Sequence, residues 1–302
     1  MNSIDEGLYL DIAGRPQWVA VRGRDRANPA LMFVGGAGAG FAGIAPFFAP
    51  WEGDFTLIHW DQPGGGFTGG SPVSYAALSA MCAEVAGAVS GRFGLGRLAL
   101  LATSGGTVTG LRALAARPEL FSAYIGTGQV VHRGRQEQLS YEMLLDRARV
   151  ARDAEAVEKL TEIGPPPYAN PTGDLVKSAY ANAPTPAEAA EWAAVVALGP
   201  PQPGARHASP DAPVGDPRAA GFAAYVATKD ELAAFDARAL GTSFGVPLHV
   251  IQGEDDAHTV TSEVIPWAFE VGASLQLIPG AGHLSVFLRE PMLAALRNVP
   301  PR

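Results

Sequence analysis

Leu98-Ala99-Leu100-Leu101-Ala102-Thr103-Ser104-Gly105-Gly106-Thr107 is the stretch on which the fold turns. Five apolar residues without alternation read as a strand buried on both faces, as in a parallel sheet. A helical stretch follows and closes before Pro118. A serine between small residues at a sharp strand-to-helix junction fits a nucleophile elbow, whose pattern is G-x-S-x-G. Here Ala102 stands for the first glycine and Gly106 for the second. Ser104 would also sit at the amino end of a helix, where the backbone N–H of Gly105 can stabilise a developing oxyanion. A serine that only caps a helix looks the same in isolation.

Working outward, the neighbouring segments supply the rest of a sheet. Residues 8–12 and 17–21 flank the turn Gly14-Arg15-Pro16 and read as an antiparallel hairpin at a sheet edge. Continuous apolar runs at 30–34, 55–60 and 121–125 read as buried strands. From Ser74, a plausible N-cap, Leu78, Met81, Val85 and Val89 fall on one helical face. Alternating strands and helices imply parallel βαβ units and a doubly wound α/β sheet. Runs at 246–253 and 274–278 resume it, with a helix over 262–271 between them and a closing helix after His283.

Between the two halves the character changes. A charged helical part over 133–163 precedes Gly164-Pro165-Pro166-Pro167, and more proline-broken helical pieces follow. Residues 199–217, rich in Pro, Gly and Ala, read as an irregular loop. The expected organisation is therefore an α/β core of 1–130 and 241–302, with a mostly helical cap insertion at 131–240.

Composition narrows the function. The chain has 302 residues, 47% hydrophobic and 17% charged, which suits one catalytic domain with an insertion. A formal net charge of −8 with no basic run argues against nucleic acid. The single cysteine, Cys82, excludes an internal disulfide framework and reads as a small buried hydrophobe. The first residues carry Asp5 and Glu6 with no basic region followed by an apolar one, and no apolar run reaches the ~18 residues of a membrane span. A soluble, cytoplasmic protein acting on a small molecule or short peptide is the expectation, with no metal or cofactor.

The remaining chemistry gathers past strand ends, where open α/β sheets place their sites. Of six histidines, only His283 follows a strand directly, on the loop Gly280-Ala281-Gly282. It is the expected base. Gly253-Glu254-Asp255-Asp256 offers carboxylates at the end of the preceding strand; Asp256 is the expected acid, with Asp255 as the alternate. The order Ser…Asp…His is that of a known hydrolase arrangement. A second oxyanion donor is expected from Gly35-Gly36-Ala37-Gly38, at Gly36.

These motifs resemble the proline iminopeptidase-like (S33) branch of the α/β-hydrolases. Gly35-Gly36-Ala37-Gly38 matches a loop written HGGPG, Asp61-Gln62-Pro63-Gly64-Gly65-Gly66 matches DQRGxG, and Ala102-Thr103-Ser104-Gly105-Gly106 stands for GxSWGG. Residues 124–131, Gly164-Pro165-Pro166-Pro167-Tyr168 and Phe235-Asp236-Ala237-Arg238 extend the likeness over nearly the whole chain. The resemblance implies a cap over the site and hydrolysis without a cofactor. It also implies cap acids that hold a substrate's amino group, for which Glu142 is a weak candidate. Four departures bear on the pocket: Val34 replaces the loop histidine, Ala37 its proline, Pro63 the arginine and Gly105 the tryptophan.

Two other readings compete. Gly38-Ala39-Gly40-Phe41-Ala42-Gly43 fits a dinucleotide fingerprint, with Asp61 near the expected distance, although Pro46 and Pro50 interrupt the helix it needs. A non-hydrolytic member of the same fold, catalysing acyl transfer or cyclisation or only binding a ligand, would keep the same motifs. No HExxH spacing appears, and the glycine-rich 64–71 lacks the lysine of a P-loop.

Overall fold

The structure, a computed structural model, describes residues 2–168, 171–199 and 217–299. The hairpin β1 (Ile4–Ile12) and β2 (Arg15–Gly23) opens the chain, its strands longer than their apolar cores suggest. Then come β3 (Ala30–Val34), β4 (Thr56–Trp60), α1 (Tyr75–Phe93), β5 (Leu98–Thr103), α2 (Gly106–Ala116) and β6 (Phe121–Thr127). After five helices, β7 (Leu248–Gly253), α8 (Thr261–Glu270), β8 (Ser274–Ile278) and α9 (Arg289–Arg297) complete the described chain. Among the described residues eight strands form one sheet, ordered β1-β2-β4-β3-β5-β6-β7-β8. The hairpin and its junction with β4 are antiparallel; every other pairing is parallel.

The unbroken apolar runs have a direct cause. Met32, Ile58, Leu100 and Tyr124 point to one face, where α1, α2 and α8 bring Leu78, Val85, Leu111 and Trp267. Leu31, Phe33, Leu101 and Ile125 point to the other, covered by Phe48, Trp51, Met292 and Leu296. Both faces are dry, so neither tolerates polar alternation. Helix α1 starts where the sequence places it: Ser74 accepts the Ala77 N–H at 3.2 Å, a cap worth about 1 kcal/mol, and Gly94 ends the helix at φ 68°. Cys82 lies inside that core, and burial pushes its thiol up to about 12, so it is inert.

Between β6 and β7 the chain forms α3 (Arg133–Ala151), α4 (Ala154–Ile163), α5 (Pro171–Ala181), α6 (Ala189–Ala197) and α7 (Pro217–Ala233). The helical stretch expected over 133–163 is two helices. Arg152 turns left-handed at φ 57°, and the Asp153 carboxylate then caps α4 by accepting the Ala156 N–H. Most of the loop expected over 199–217 lies outside the described residues. No helix among those described is long and apolar enough to cross a membrane.

The dinucleotide reading is overturned. Residues 42–53 wind as a 3₁₀ segment with Pro46 and Pro50 inside it, offering no α-helical amino end for a pyrophosphate. Asp61 is fully buried, and its two oxygens accept the N–H groups of Ala42 and Phe67, both at 2.8 Å. That carboxylate braces two loops and is sealed from any ligand by its burial.

Candidate active site

Strand β5 and helix α2 can meet at one residue only if that residue bends sharply. Ser104 does so at φ 54°, a left-handed conformation that costs a non-glycine residue on the order of 1–2 kcal/mol. Its N–H donates to Thr127 O on β6 at 2.9 Å, and its carbonyl accepts the Thr107 N–H at 2.9 Å, so the strain is held on both sides. Small neighbours are obligatory. A Cβ at Gly106 would strike the Val34 carbonyl, and one at Gly105 would strike the Tyr75 hydroxyl.

The elbow presents the Ser104 hydroxyl to His283, on the loop after β8. Ser104 Oγ and His283 Nε2 are 2.9 Å apart, and His283 Nδ1 lies 3.0 Å from Asp256 Oδ2. Asp256 sits in the turn after β7 and is fully buried. Gln252 Nε2 and Thr259 Oγ1 donate to its Oδ2 at 2.8 and 2.7 Å, while the N–H groups of His258 and Thr259 donate to Oδ1 at 2.8 and 2.9 Å. Burial alone would raise this carboxyl; the neighbouring imidazole and the Thr259 bonds outweigh it and hold the group at about 2. An ionised Asp256 accepts a hydrogen bond from the Nδ1–H of His283, leaving Nε2 as the acceptor for the Ser104 hydroxyl.

The three residues singled out from sequence therefore meet. Asp255, the alternate acid, is exposed and faces Arg147 at 3.6 Å. Gly36 and Gly105 also meet: a Cβ at Gly105 would stand 3.2 Å from Gly36 Cα. Glu142 is not brought to the site. It lies on the exposed side of α3, where Gln138 donates to it at 2.7 Å. The inward-facing acid of that helix is Glu137, paired with Arg133 and, at 2.5 Å, with fully buried Lys177. Burial first, and then Arg133, pull the Lys177 ammonium down to about 8.

Several residues of the site escaped the sequence reading. His258 packs its ring on His283, centroids 4.6 Å apart, with Arg133 Nη1 3.5 Å from its other edge. Burial and the nearby cations hold His258 well below the usual histidine range, so it is a neutral neighbour of His283. Glu188, beside α6, accepts the Gly282 N–H at 2.8 Å, one residue before His283. Thr259 carried a weak signal: it stands three positions after Asp256, the spacing of a local side-chain-to-backbone turn.

No family model matches the chain. The probable aminopeptidase YbaC of Bacillus subtilis (strain 168) is 29% identical over 167 residues, a match covering 53% of this chain and 52% of the relative. The chain thus spans about half the length of the curated relative it matches. Among solved structures, the proline iminopeptidase-related protein from Thermus thermophilus superposes with a TM-score of 0.66 at 18% identity, over 97% of this chain and 95% of that one. An alpha/beta hydrolase fold protein from Nakamurella multipartita gives 0.56 at 19% identity, over 96% and 97%. The chain has the α/β-hydrolase fold. The resemblance read from the motifs is borne out at that level, and the Ser104 elbow, Asp256 turn and His283 loop occupy the strand ends of an α/β-hydrolase sheet.

Proposed function

We propose that this protein is a serine hydrolase that cleaves an ester or amide through an acyl-enzyme. The unbroken chain Ser104 Oγ, His283 Nε2, His283 Nδ1, Asp256 Oδ2, with links of 2.9 and 3.0 Å, carries the reading. His283 takes the Ser104 proton as the hydroxyl oxygen attacks the carbonyl, and returns it to the leaving group. Asp256 holds the imidazole and stabilises its charged form. The N–H groups of Gly36 and Gly105 receive the oxyanion, an effect on the order of 3 kcal/mol per donor. Water, activated by His283, then frees the acid and restores Ser104.

Residues 131–240 act in this reading as a cap. A cavity of about 510 Å³ lies among α3, α5 and α7, lined by Arg133, Glu137, Tyr168, Asp174 and Tyr225. Arg133 ties its wall to His258 and so to the base. In this reading the part of the substrate away from the scissile carbonyl extends toward this chamber. An aminopeptidase reading is favoured by the sequence relative, and requires a carboxylate free to take an ammonium. Glu137 is already paired with two cations and Asp230 with Lys229, so Asp174, beside Tyr225, is the carboxylate for that role.

Intact-mass labelling with a fluorophosphonate tests the mechanism. Wild type should gain one adduct, and Ser104→Ala none. An adduct that persists in the variant would refute the assignment. A panel of aminoacyl amides against short-chain esters then separates peptidase from esterase.

A further inference from the structure

Two of the departures from the family motifs meet at one atom. Gly105 stands where the motif has tryptophan, and the space beside its Cα is taken by the hydroxyl of Tyr75, the first residue of α1; the ring carbon Cζ lies 3.5 Å from where a Cβ would be. Ala37 stands where the motif has proline, and its N–H, which proline lacks, faces the Tyr75 oxygen. Tyr75 is held from behind as well: Glu231 on α7 accepts its backbone N–H at 2.7 Å, and only 2% of the residue is exposed. The phenol has its proton to give, and among the described residues no acceptor pairs with it.

We propose that Tyr75 is a third donor of the oxyanion site, its hydroxyl acting beside the N–H groups of Gly36 and Gly105 on the tetrahedral intermediate. This rests on the serine-hydrolase reading. The same Cβ position at Gly105, the residue after Ser104, lies 3.2 Å from Gly36 Cα, so the phenol hydroxyl, Gly36 and Gly105 surround one spot. Loss of the tryptophan makes room for the phenol, and loss of the proline supplies the N–H that aims it. Burial raises the Tyr75 pKa further above its ordinary value, so the group stays a donor across the neutral range.

Two variants test this without disturbing the triad. Tyr75→Phe removes only the hydroxyl. Ala37→Pro keeps the phenol and removes its N–H partner; Gly36 O accepts from Ala39 N at 3.0 Å and Gly38 has φ 73°, a turn whose second position suits proline. The rate of fluorophosphonate labelling should fall about 100–1000-fold in Tyr75→Phe, the range expected for one oxyanion donor, and less in Ala37→Pro. In the Tyr75→Phe background Ala37→Pro should add nothing further. Affinity for a trifluoromethyl ketone, which forms an oxyanion on Ser104, should fall by the same factor, while affinity for the matching methyl ketone stays level. A purely structural role would move both ketones alike. Tyr75→Phe labelling within about two-fold of wild type overturns the proposal; if that variant does not fold, an Ala37→Pro rate equal to wild type does so instead. Wild type that takes no label on Ser104 refutes the underlying mechanism, a different result from normal labelling in both variants.

Discussion

Asp256 gathers more side-chain hydrogen bonds than Ser104 does. Its two oxygens receive two backbone N–H groups, the Gln252 amide, the Thr259 hydroxyl and the imidazole. Replacing it by Asn turns one acceptor into a donor that faces donors, so Asp256→Asn should lose on the order of 1–3 kcal/mol of stability at pH 7. Any hydrolysis should fall about 10⁴-fold, because the imidazole loses the partner that fixes its tautomer. The stability gap should also depend on pH in a defined sense. The folded carboxyl titrates near 2 against an ordinary value of 3.8. Its contribution is therefore complete above pH 4 and disappears as the pH falls toward 2. Thermal unfolding of both proteins at pH 7 and pH 3 checks this; a gap that widens on acidification would contradict it. Sequence alone reduced the choice to Asp255 or Asp256. It went no further, because what separates them is enclosure by Gln252 and Thr259, a tertiary property.

The strand–elbow–helix unit was the most legible part of the chain, since every requirement for it is local. A doubly covered strand needs an unbroken apolar run, a left-handed serine needs small neighbours, and both appear consecutively between residues 98 and 106. The 3₁₀ path of residues 42–53 was less so: its prolines spoke against an α-helix without saying what would replace one. The break between α3 and α4 was missed because Arg152 is not a residue type that announces a left-handed turn. For the elbow a sharp prediction follows. A Cβ at Gly106 would meet the carbonyl of Val34 and stand 2.7 Å from the carbonyl carbon of Gly35. Both are backbone, so relief requires β3 and α2 to part. Gly106→Ala should cost about 3 kcal/mol or more in chemical denaturation and slow fluorophosphonate labelling even in protein that remains folded. A variant as stable and as reactive as wild type would mean that the two elements are not locked at this contact.

At the scale of the whole molecule, the helical insertion is fastened to the loops that carry the chemistry. Ser140 Oγ donates to Ala257 O, Arg133 reaches His258, and Glu231 accepts from Tyr75 and Ala76 while pairing with Arg112. Glu188 accepts the N–H groups of Thr185 and of Gly282, the latter 94 positions along the chain. Apart from the Thr185 bond none of this is local, which is why the insertion's composition was readable and its attachments were not. Glu188 makes the most consequential of them, because it is a buried carboxylate satisfied by two backbone donors, one of which sits next to the base. Truncating it leaves the buried Gly282 N–H and the part-buried Thr185 N–H without partners, a loss on the order of 1–3 kcal/mol, and frees the loop that carries His283. Glu188→Ala should therefore label more slowly at Ser104 and show faster amide exchange over residues 280–284. Glu188→Gln, which keeps one acceptor for Gly282, should recover most of the labelling rate. Labelling in Glu188→Ala that is slowed without any change in exchange would place the effect in the chamber instead, on substrate access. Rates and exchange both equal to wild type would mean that the His283 loop holds its geometry from β8 alone, with the insertion only resting on it.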